Sequence, residues 1–224
     1  HTQRRRQRQM CIRDRYRLVF GLLFFVNLHV FSQNLDETKK NIIKSIENHE
    51  EEIIKISDKI WELAETAFNE YESSKLLSDY AEANGFSLER GVAGMPTAFI
   101  ATYGQGRPVI SVLGEFDALP GLSQDTTPTK KPLTEGGNGH GCGHNLFGAA
   151  SLASAIAIKE QIENGDLKGT IKFFGTPSEE KFFGKIWMVD AGLWDDVDVN
   201  LSWHPGYYTC LLYTSPSPRD GLGS

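Results

Sequence analysis

The chain has 224 residues, of which 40% are hydrophobic, so it can form one sizeable core with a small second domain. Its formal net charge is −6, and residues 16–209 alone carry 16 basic and 27 acidic residues, a net charge of −11. This acidic balance argues against nucleic-acid binding, although Arg4, Arg5 and Arg6 form a basic cluster.

The two ends of the chain have an unusual sequence. The segments Met10-Cys-Ile-Arg-Asp14 and Cys210-Leu-Leu-Tyr-Thr-Ser215 can be encoded by opposite strands of one transposase-type sequencing adapter. We therefore expect residues 1–15 and 210–224 to be adapter-like additions. Cys142 is then the only native cysteine, which excludes an intrachain disulfide framework.

An apolar run near the start indicates a targeting segment. Arg15 and Arg17 flank its beginning, and the run from Leu18 to Phe31 is short for a membrane span. We predict that residues 16–32 are a secretory signal peptide, which implies a secreted or periplasmic protein without a stable membrane span. A core helix or a membrane anchor is the alternative, and a chain without a signal would be cytoplasmic.

The remaining sequence alternates between helical and strand patterns. Isoleucine and leucine spacing and glycine stops predict helices over 36–64, 68–84, 145–164 and 183–191. Short apolar runs predict strands over 97–103, 108–113, 170–174 and 197–203. This order predicts an α/β fold with a largely parallel mixed sheet that is flanked by helices.

Four side chains of metal-binding type lie where these predicted elements meet loops. Cys142 and His144 belong to the run His140-Gly-Cys-Gly-His-Asn145, and Glu180 and His204 follow later strands. Thiolate, imidazole and carboxylate are the ligands of zinc and similar divalent metals. Glu179 lies beside Glu180 and can act as the general base on a metal-activated water. Each residue alone is more often structural, but the combination favours a metal hydrolase.

Two further expectations concern the surroundings of these residues. Asp117, in Gly114-Glu-Phe-Asp-Ala-Leu-Pro120, is a candidate carboxylate partner for a ligating histidine, or equally the cap of a helix or turn. Cys142 precedes a predicted helix, a position that favours its thiolate. A thiol hydrolase with Cys142 as nucleophile and His144 as base is therefore an alternative, although it leaves the glutamates and His204 without a role.

Four motifs in order resemble one known family. They are Gly114-Glu-Phe-Asp-Ala-Leu-Pro120, His140-Gly-Cys-Gly-His-Asn145, Gly175-Thr-Pro-Ser-Glu-Glu180 and Trp203-His-Pro-Gly206. Together they resemble the metal-dependent amidohydrolase branch of the aminoacylase and carboxypeptidase superfamily, and the aminobenzoyl-glutamate hydrolases within it. The resemblance covers roughly residues 36–206.

The resemblance implies a zinc-peptidase-like catalytic layer with two divalent ions, zinc or manganese. Cys142, His144, Glu180 and His204 would be metal ligands, Glu179 the catalytic base and acid, and Asp117 a residue beside the metals. The substrate would be a small N-acyl or aroyl amino-acid amide or a dipeptide. Glu115 stands where many relatives have a ligand histidine, and Lys181-Phe-Phe-Gly184 replaces a glycine-rich stretch.

The resemblance also implies that part of the domain is missing. Members of the family continue with an inserted lid and dimerisation domain and then a last ligand histidine, which nothing after Gly206 can supply. We therefore expect residues 33–209 to be the N-terminal part of a catalytic domain and the chain itself to be an inactive fragment. The complete protein would be a homo- or hetero-oligomer through the lid. A non-catalytic metal-binding domain is the second hypothesis.

Overall fold

The computed structural model describes residues 36–206. Of these, residues 36–48 belong to one unit, and residues 49–206 belong to a second unit that contains the sheet. The predicted signal peptide and both adapter-like ends lie outside the described residues. Within residues 36–206, no helix is both long enough and apolar enough to cross a membrane.

Helices and strands alternate along the chain. The helices are α1 over 36–63, α2 Tyr71–Ala83, α3 His144–Glu163, α4 Glu179–Phe182 and α5 Gly184–Asp190. The strands are β1 Ser87–Arg90, β2 Phe99–Gln105, β3 Val109–Glu115, β4 Gly169–Thr176 and β5 Val199–Leu201. The predicted elements are thereby confirmed to within a few residues at each end, whereas β1 and α4 were not predicted.

The five strands form one mixed sheet in the order β1-β2-β4-β3-β5. β3 pairs in parallel with both β4 and β5, while β2 is antiparallel to both β1 and β4. Four of the five strands therefore run in the same direction, and only β2 is reversed. This confirms the α/β prediction of a largely parallel mixed sheet.

The sheet carries an apolar cluster on each face. Phe99 and Phe173 belong to a cluster with residues of α1, α2 and α3, whereas their neighbours Ile100 and Phe174 belong to a cluster with Met188 of α5. This alternation follows from the two-residue period of a strand. Burial of both faces therefore fixes the register of the central strands.

Two glycines allow α3 to approach β3 very closely. A Cβ atom at Gly114 would lie 2.9 Å from the Cα atom of Gly148, and one at Gly148 would lie 2.7 Å from the Glu115 carbonyl oxygen. Side chains at these positions would push the helix away from the strand. The close approach brings His144, at the start of α3, beside the residues that follow β3.

Candidate metal centre

Three parallel strands end beside one another and lead into the predicted site residues. Glu115 at the end of β3 pairs with Thr176 at the end of β4, and β5 runs parallel to β3 on its other side. Asp117, the glutamate pair and His204 follow these three strands. In α/β proteins, ligands bind at the carboxyl edge of the sheet, where side chains from neighbouring strand ends converge.

His144 lies fully buried between two carboxylates. Its Nδ1 is 2.9 Å from Oδ1 of Asp117 and 3.1 Å from the Asp117 carbonyl oxygen, and its Nε2 is 2.9 Å from Oε2 of Glu115. Burial lowers the pKa of His144, but the hydrogen bonds and charges of Asp117 and Glu115 outweigh it and raise the pKa to about 10. The carboxylates thus stabilise a positive charge at this ring.

Asp117 also connects His144 to the glutamate pair. Its Oδ2 accepts a hydrogen bond of 2.9 Å from the backbone amide of Glu180. One buried carboxylate therefore orients two of the predicted ligands at the same time. This geometry fits a carboxylate that orients a ligating histidine, and the same carboxylate also binds a free amide in the first turn of α4, as a helix cap does.

Cys142 and His204 complete a cluster around His144. The sulfur of Cys142 is 3.4 Å from Nε2 of His204, which is 3.4 Å from Nε2 of His144. Nε2 of His144 is 3.9 Å from Oε1 of Glu180. The structure therefore brings all four sequence-predicted ligands together, although they come from the start of α3, from α4 and from the segment after β5.

Glu179 and Glu180 begin the one-turn helix α4. An oxygen of Glu179 lies within 4.8 Å of ligand atoms of both Glu115 and His144. Oε1 of Glu180 is buried and has no hydrogen-bond partner among the described residues. Both glutamates thus face the cluster, and an unpartnered buried oxygen is typical of a site that binds a ligand.

The expectation of a stabilised Cys142 thiolate is wrong for this environment. Burial, and then the charge of Glu180, raise the pKa of the Cys142 thiol to about 11. The surrounding carboxylates outweigh the helix terminus, since a second negative charge is unfavourable beside them. The thiol can ionise readily only beside a cation, which weakens the thiol-nucleophile alternative.

Two residues of the site had no assigned role in the sequence. Lys185 of α5 donates a hydrogen bond to Oε1 of Glu115, and this contact lies next to the Glu115–His144 pair. Burial raises the pKa of Glu115, but the hydrogen bonds with His144 and Lys185 lower it by more. The two-residue spacing of Glu115 and Asp117 at a strand end could have indicated Glu115, whereas no local signal identifies Lys185.

The sulfur, nitrogen and oxygen atoms of this cluster suit a divalent metal ion. Cys142, His144 and His204 place one sulfur and two imidazole nitrogens within 4.8 Å of one another, and Glu115, His144 and Glu179 form a second such group. Sulfur, nitrogen and carboxylate oxygen together suit zinc and other first-row ions. The two groups share His144 and therefore form one cluster of candidate metal donors.

Comparison with known proteins agrees with this geometry. The sequence profile of peptidase family M20/M25/M40 matches residues 111–221. The chain is 45% identical over 183 residues to one subunit of the p-aminobenzoyl-glutamate hydrolase of Escherichia coli, a match that covers 80% of the chain and 38% of that protein. It is 38% identical over 118 residues to a second subunit of the same hydrolase, which covers 49% of the chain and 26% of that protein.

Solved structures show the same relationship. The YXEP protein of Bacillus subtilis, described as a dinuclear metal-binding peptidase of the M20 family, superposes with a TM-score of 0.62 at 25% identity. This match covers 71% of the chain and 44% of that structure. The chain therefore spans less than half the length of each of these relatives. From its sequence, fold and motifs together, the chain belongs to peptidase family M20/M25/M40.

Proposed function

We propose that the chain is the N-terminal part of a metal-dependent amidohydrolase that cleaves a small N-acyl or aroyl amino-acid amide or a dipeptide. Cys142, His144, Glu180 and His204 would hold two divalent ions, zinc or manganese, and Glu179 would be the general base. The full-length gene product, with the length found in relatives, would supply the remaining parts of the site.

The observation that carries this proposal is the convergence of donors around His144. Sulfur, two imidazole nitrogens and three carboxylates meet at the ends of three strands, and one buried oxygen of Glu180 has no partner among the described residues. A purely structural histidine would need only the partners at its two nitrogens. The additional donors are explained by a bound cation.

The protein residues have separate tasks in the proposed hydrolysis. Bound metal ions would lower the pKa of water and polarise the amide carbonyl of the substrate. Asp117 fixes the ring of His144 through its Nδ1 proton and holds the amide of Glu180. Glu179 accepts a proton as the water oxygen bonds to the amide carbon. It then delivers this proton to the leaving nitrogen as the carbon–nitrogen bond breaks.

The relatives narrow the proposed substrate and partners. The hydrolase that has a subunit 45% identical to the chain is described as acting on p-aminobenzoyl-glutamate. We therefore propose an aroyl or acyl amino acid of this type as the substrate. Since the chain also resembles a second subunit of that hydrolase, we propose that the complete protein forms an oligomer, either with itself or with a related protein. Export through the leader at 16–32 belongs to the same proposal.

The proposal is tested with the full-length gene product and p-aminobenzoyl-glutamate. Metal content, measured by mass spectrometry, and hydrolysis are compared for the wild type, Glu179→Gln and a control variant, Glu89→Gln, at an exposed position of β1. We expect metal in all three proteins and a loss of kcat of about 100-fold or more only in Glu179→Gln. Unchanged hydrolysis in that variant would contradict the assignment of Glu179.

Chelation and a Cys142→Ala variant, added to this experiment, separate the alternatives. Metal without any hydrolysis of acyl or aroyl amino acids in the wild type would favour a non-catalytic metal-binding domain. Activity that survives complete chelation and is lost in Cys142→Ala would favour the thiol nucleophile. We expect chelation to abolish hydrolysis and added zinc or manganese to restore it.

A further inference from the structure

The carboxylate of Glu70 reaches the backbone just before the glutamate pair. Glu70 immediately precedes α2 and is fully buried. Its Oε1 accepts a hydrogen bond of 2.9 Å from the amide of Ser178, and its Oε2 accepts one of 3.2 Å from the hydroxyl of Thr97. Burial of a carboxylate is costly, and here it is offset by contacts with two segments that are distant in the sequence.

The helix that carries Glu179 needs support of this kind. α4 has four residues, and one turn of helix is not stable by itself. Ser178, which precedes it, has a φ of 57°, in the left-handed region that costs a non-glycine residue about 1 kcal/mol. The direction of Glu179 and Glu180 is therefore determined by contacts from outside the helix.

Two buried carboxylates provide these contacts, one with the residue before α4 and one with the second residue of α4. Glu70 accepts a hydrogen bond from the amide of Ser178, and Asp117 accepts one from the amide of Glu180. Glu179 lies between these two held amides. Asp117 also binds His144, so its contact fixes Glu180 relative to the metal-binding donors, whereas the contact of Glu70 fixes the entry to the helix.

The segment before α2 also contacts the other end of α4. The ring of Phe68 stacks on that of Phe182, with centroids 5.4 Å apart and planes 4° from parallel. The backbone oxygen of Glu65 accepts a hydrogen bond of 2.7 Å from the amide of Ala118, beside Asp117. Residues 65–70 thus touch both the glutamate helix and the strand end that carries Asp117.

We infer that Glu70 is a positioning residue, which holds α4 so that the carboxylate of Glu179 stays directed at the reaction site. This inference rests on the proposed function of Glu179. Glu70 lies behind the backbone of Ser178 and has no proton-transfer role in the reaction. Its removal would therefore leave the metal ligands and the base chemically intact but allow the carboxylate of Glu179 to move.

Glu65 provides a matched control on the same segment. Its side chain accepts hydrogen bonds from the amides of Glu72 and Ser73 and from the Ser73 hydroxyl, and so caps α2. The side chains of Glu65 and Glu70 thus make comparable contacts with nearby backbone, but only that of Glu70 binds the entry to α4. Glu65→Ala should reduce thermal stability without a specific effect on kcat.

The test compares Glu70→Ala, Glu70→Gln and Glu65→Ala in the full-length gene product. We expect Glu70→Ala to lower kcat by about 10- to 100-fold with little change in KM, because a small misplacement of a catalytic group acts mainly on the transition state. Glu70→Gln should retain most of the wild-type kcat, since a glutamine side-chain oxygen can still accept from the Ser178 amide. The folded fraction of Glu65→Ala should have the same kcat as the wild type.

Amide hydrogen exchange provides a readout that does not depend on turnover. Exchange in a peptide covering residues 176–183 should be faster in Glu70→Ala than in the wild type, Glu70→Gln and Glu65→Ala. An unchanged exchange rate, an unchanged kcat, or equal kcat losses in Glu70→Ala and Glu70→Gln would overturn the inference. If wild-type hydrolysis is absent but the exchange difference is present, the proposed function fails while the support of α4 by Glu70 stands.

Discussion

Substitution of Asp117 provides a graded test of how the site is organised. Its carboxylate makes two hydrogen bonds of 2.9 Å, one with the Nδ1 of His144 and one with the amide of Glu180. In Asp117→Asn, the side-chain oxygen can still accept from Glu180, but the amide nitrogen then faces the Nδ1 of His144 and cannot accept a hydrogen bond from it. Asp117→Ala removes both acceptors and leaves the part-buried Glu180 amide without its partner.

The expected magnitudes follow from these contacts. A hydrogen bond to a charged group contributes about 1.5–3 kcal/mol, which corresponds to about 10- to 100-fold in affinity. The backbone oxygen of Asp117, 3.1 Å from Nδ1, still orients the ring in Asp117→Asn, so we expect the lower value, about a tenfold loss of metal affinity. Asp117→Ala also leaves the part-buried amide of Glu180 without an acceptor, which raises the expected loss to about 100-fold or more.

The assay is competition for zinc between the full-length gene product and a chromogenic chelator, with circular dichroism to confirm folding. Asp196→Asn is the control, because the carboxylate of Asp196 binds Lys172 at the surface. Wild-type affinity in Asp117→Ala, or equal losses in Asp117→Asn and Asp196→Asn, would refute the role of Asp117 in orienting His144 and Glu180.

Three further predictions concern the support of the site. Gly148→Ala should destabilise the protein by about 1–3 kcal/mol in thermal unfolding, because the added Cβ atom would lie 2.7 Å from the Glu115 carbonyl oxygen. An unchanged Tm would contradict the close approach of α3 and β3. Lys185→Met should destabilise the protein by about 1–3 kcal/mol, since buried Glu115 loses its hydrogen bond from a charged donor. An unchanged free energy of unfolding would show that the Lys185–Glu115 pair does not stabilise the fold. Burial, and then the charge of Asp117, raise the pKa of Glu70. The stability that Glu70 contributes is therefore fully present below its unfolded pKa, and it is lost as the pH rises through its folded pKa. Glu70→Gln should therefore gain stability relative to the wild type as the pH rises from about 4 to about 7, and a constant difference in Tm across this range would contradict the raised pKa.

The fold was largely predictable because its main elements have strong local patterns. Isoleucine spacing identified α1, and the alanine-rich run before Asn164 identified α3. β1 was missed because Ser87–Arg90 is a short edge strand with one apolar residue, and it forms through pairing with β2. α4 was missed since a single turn has no periodicity, and distant contacts of Glu70 and Asp117 hold it in place.

The candidate site was predictable where chemistry is written in short motifs. Cys142, His144, the glutamate pair and His204 are recognisable from residue type and from their positions after predicted strands or before a helix. Their convergence on one cluster depends on the parallel pairing of β3 with β4 and β5. Glu70 and Lys185 were not predictable, because isolated charged residues are usually exposed, and only tertiary packing brings these two to the site.

The electrostatic environment of Cys142 shows the limit of local reasoning. Its position before α3 predicted a stabilised thiolate, whereas burial and the charge of Glu180 raise the pKa of the thiol to about 11. A helix terminus contributes only modestly at such a site, where burial first and then the carboxylates of Glu180, Glu179 and Glu115 disfavour the thiolate. The same carboxylates make the site suitable for cations.

The most direct measurement is anomalous X-ray diffraction from crystals of the full-length gene product, recorded on both sides of the zinc and manganese absorption edges. We predict anomalous peaks about 2.0–2.3 Å from donor atoms of Cys142, His144, Glu180 and His204. Peaks at another location, or crystals grown with saturating zinc and manganese in which His144 still pairs with Glu115 and no peak lies beside it, would contradict a metal centre in this cluster.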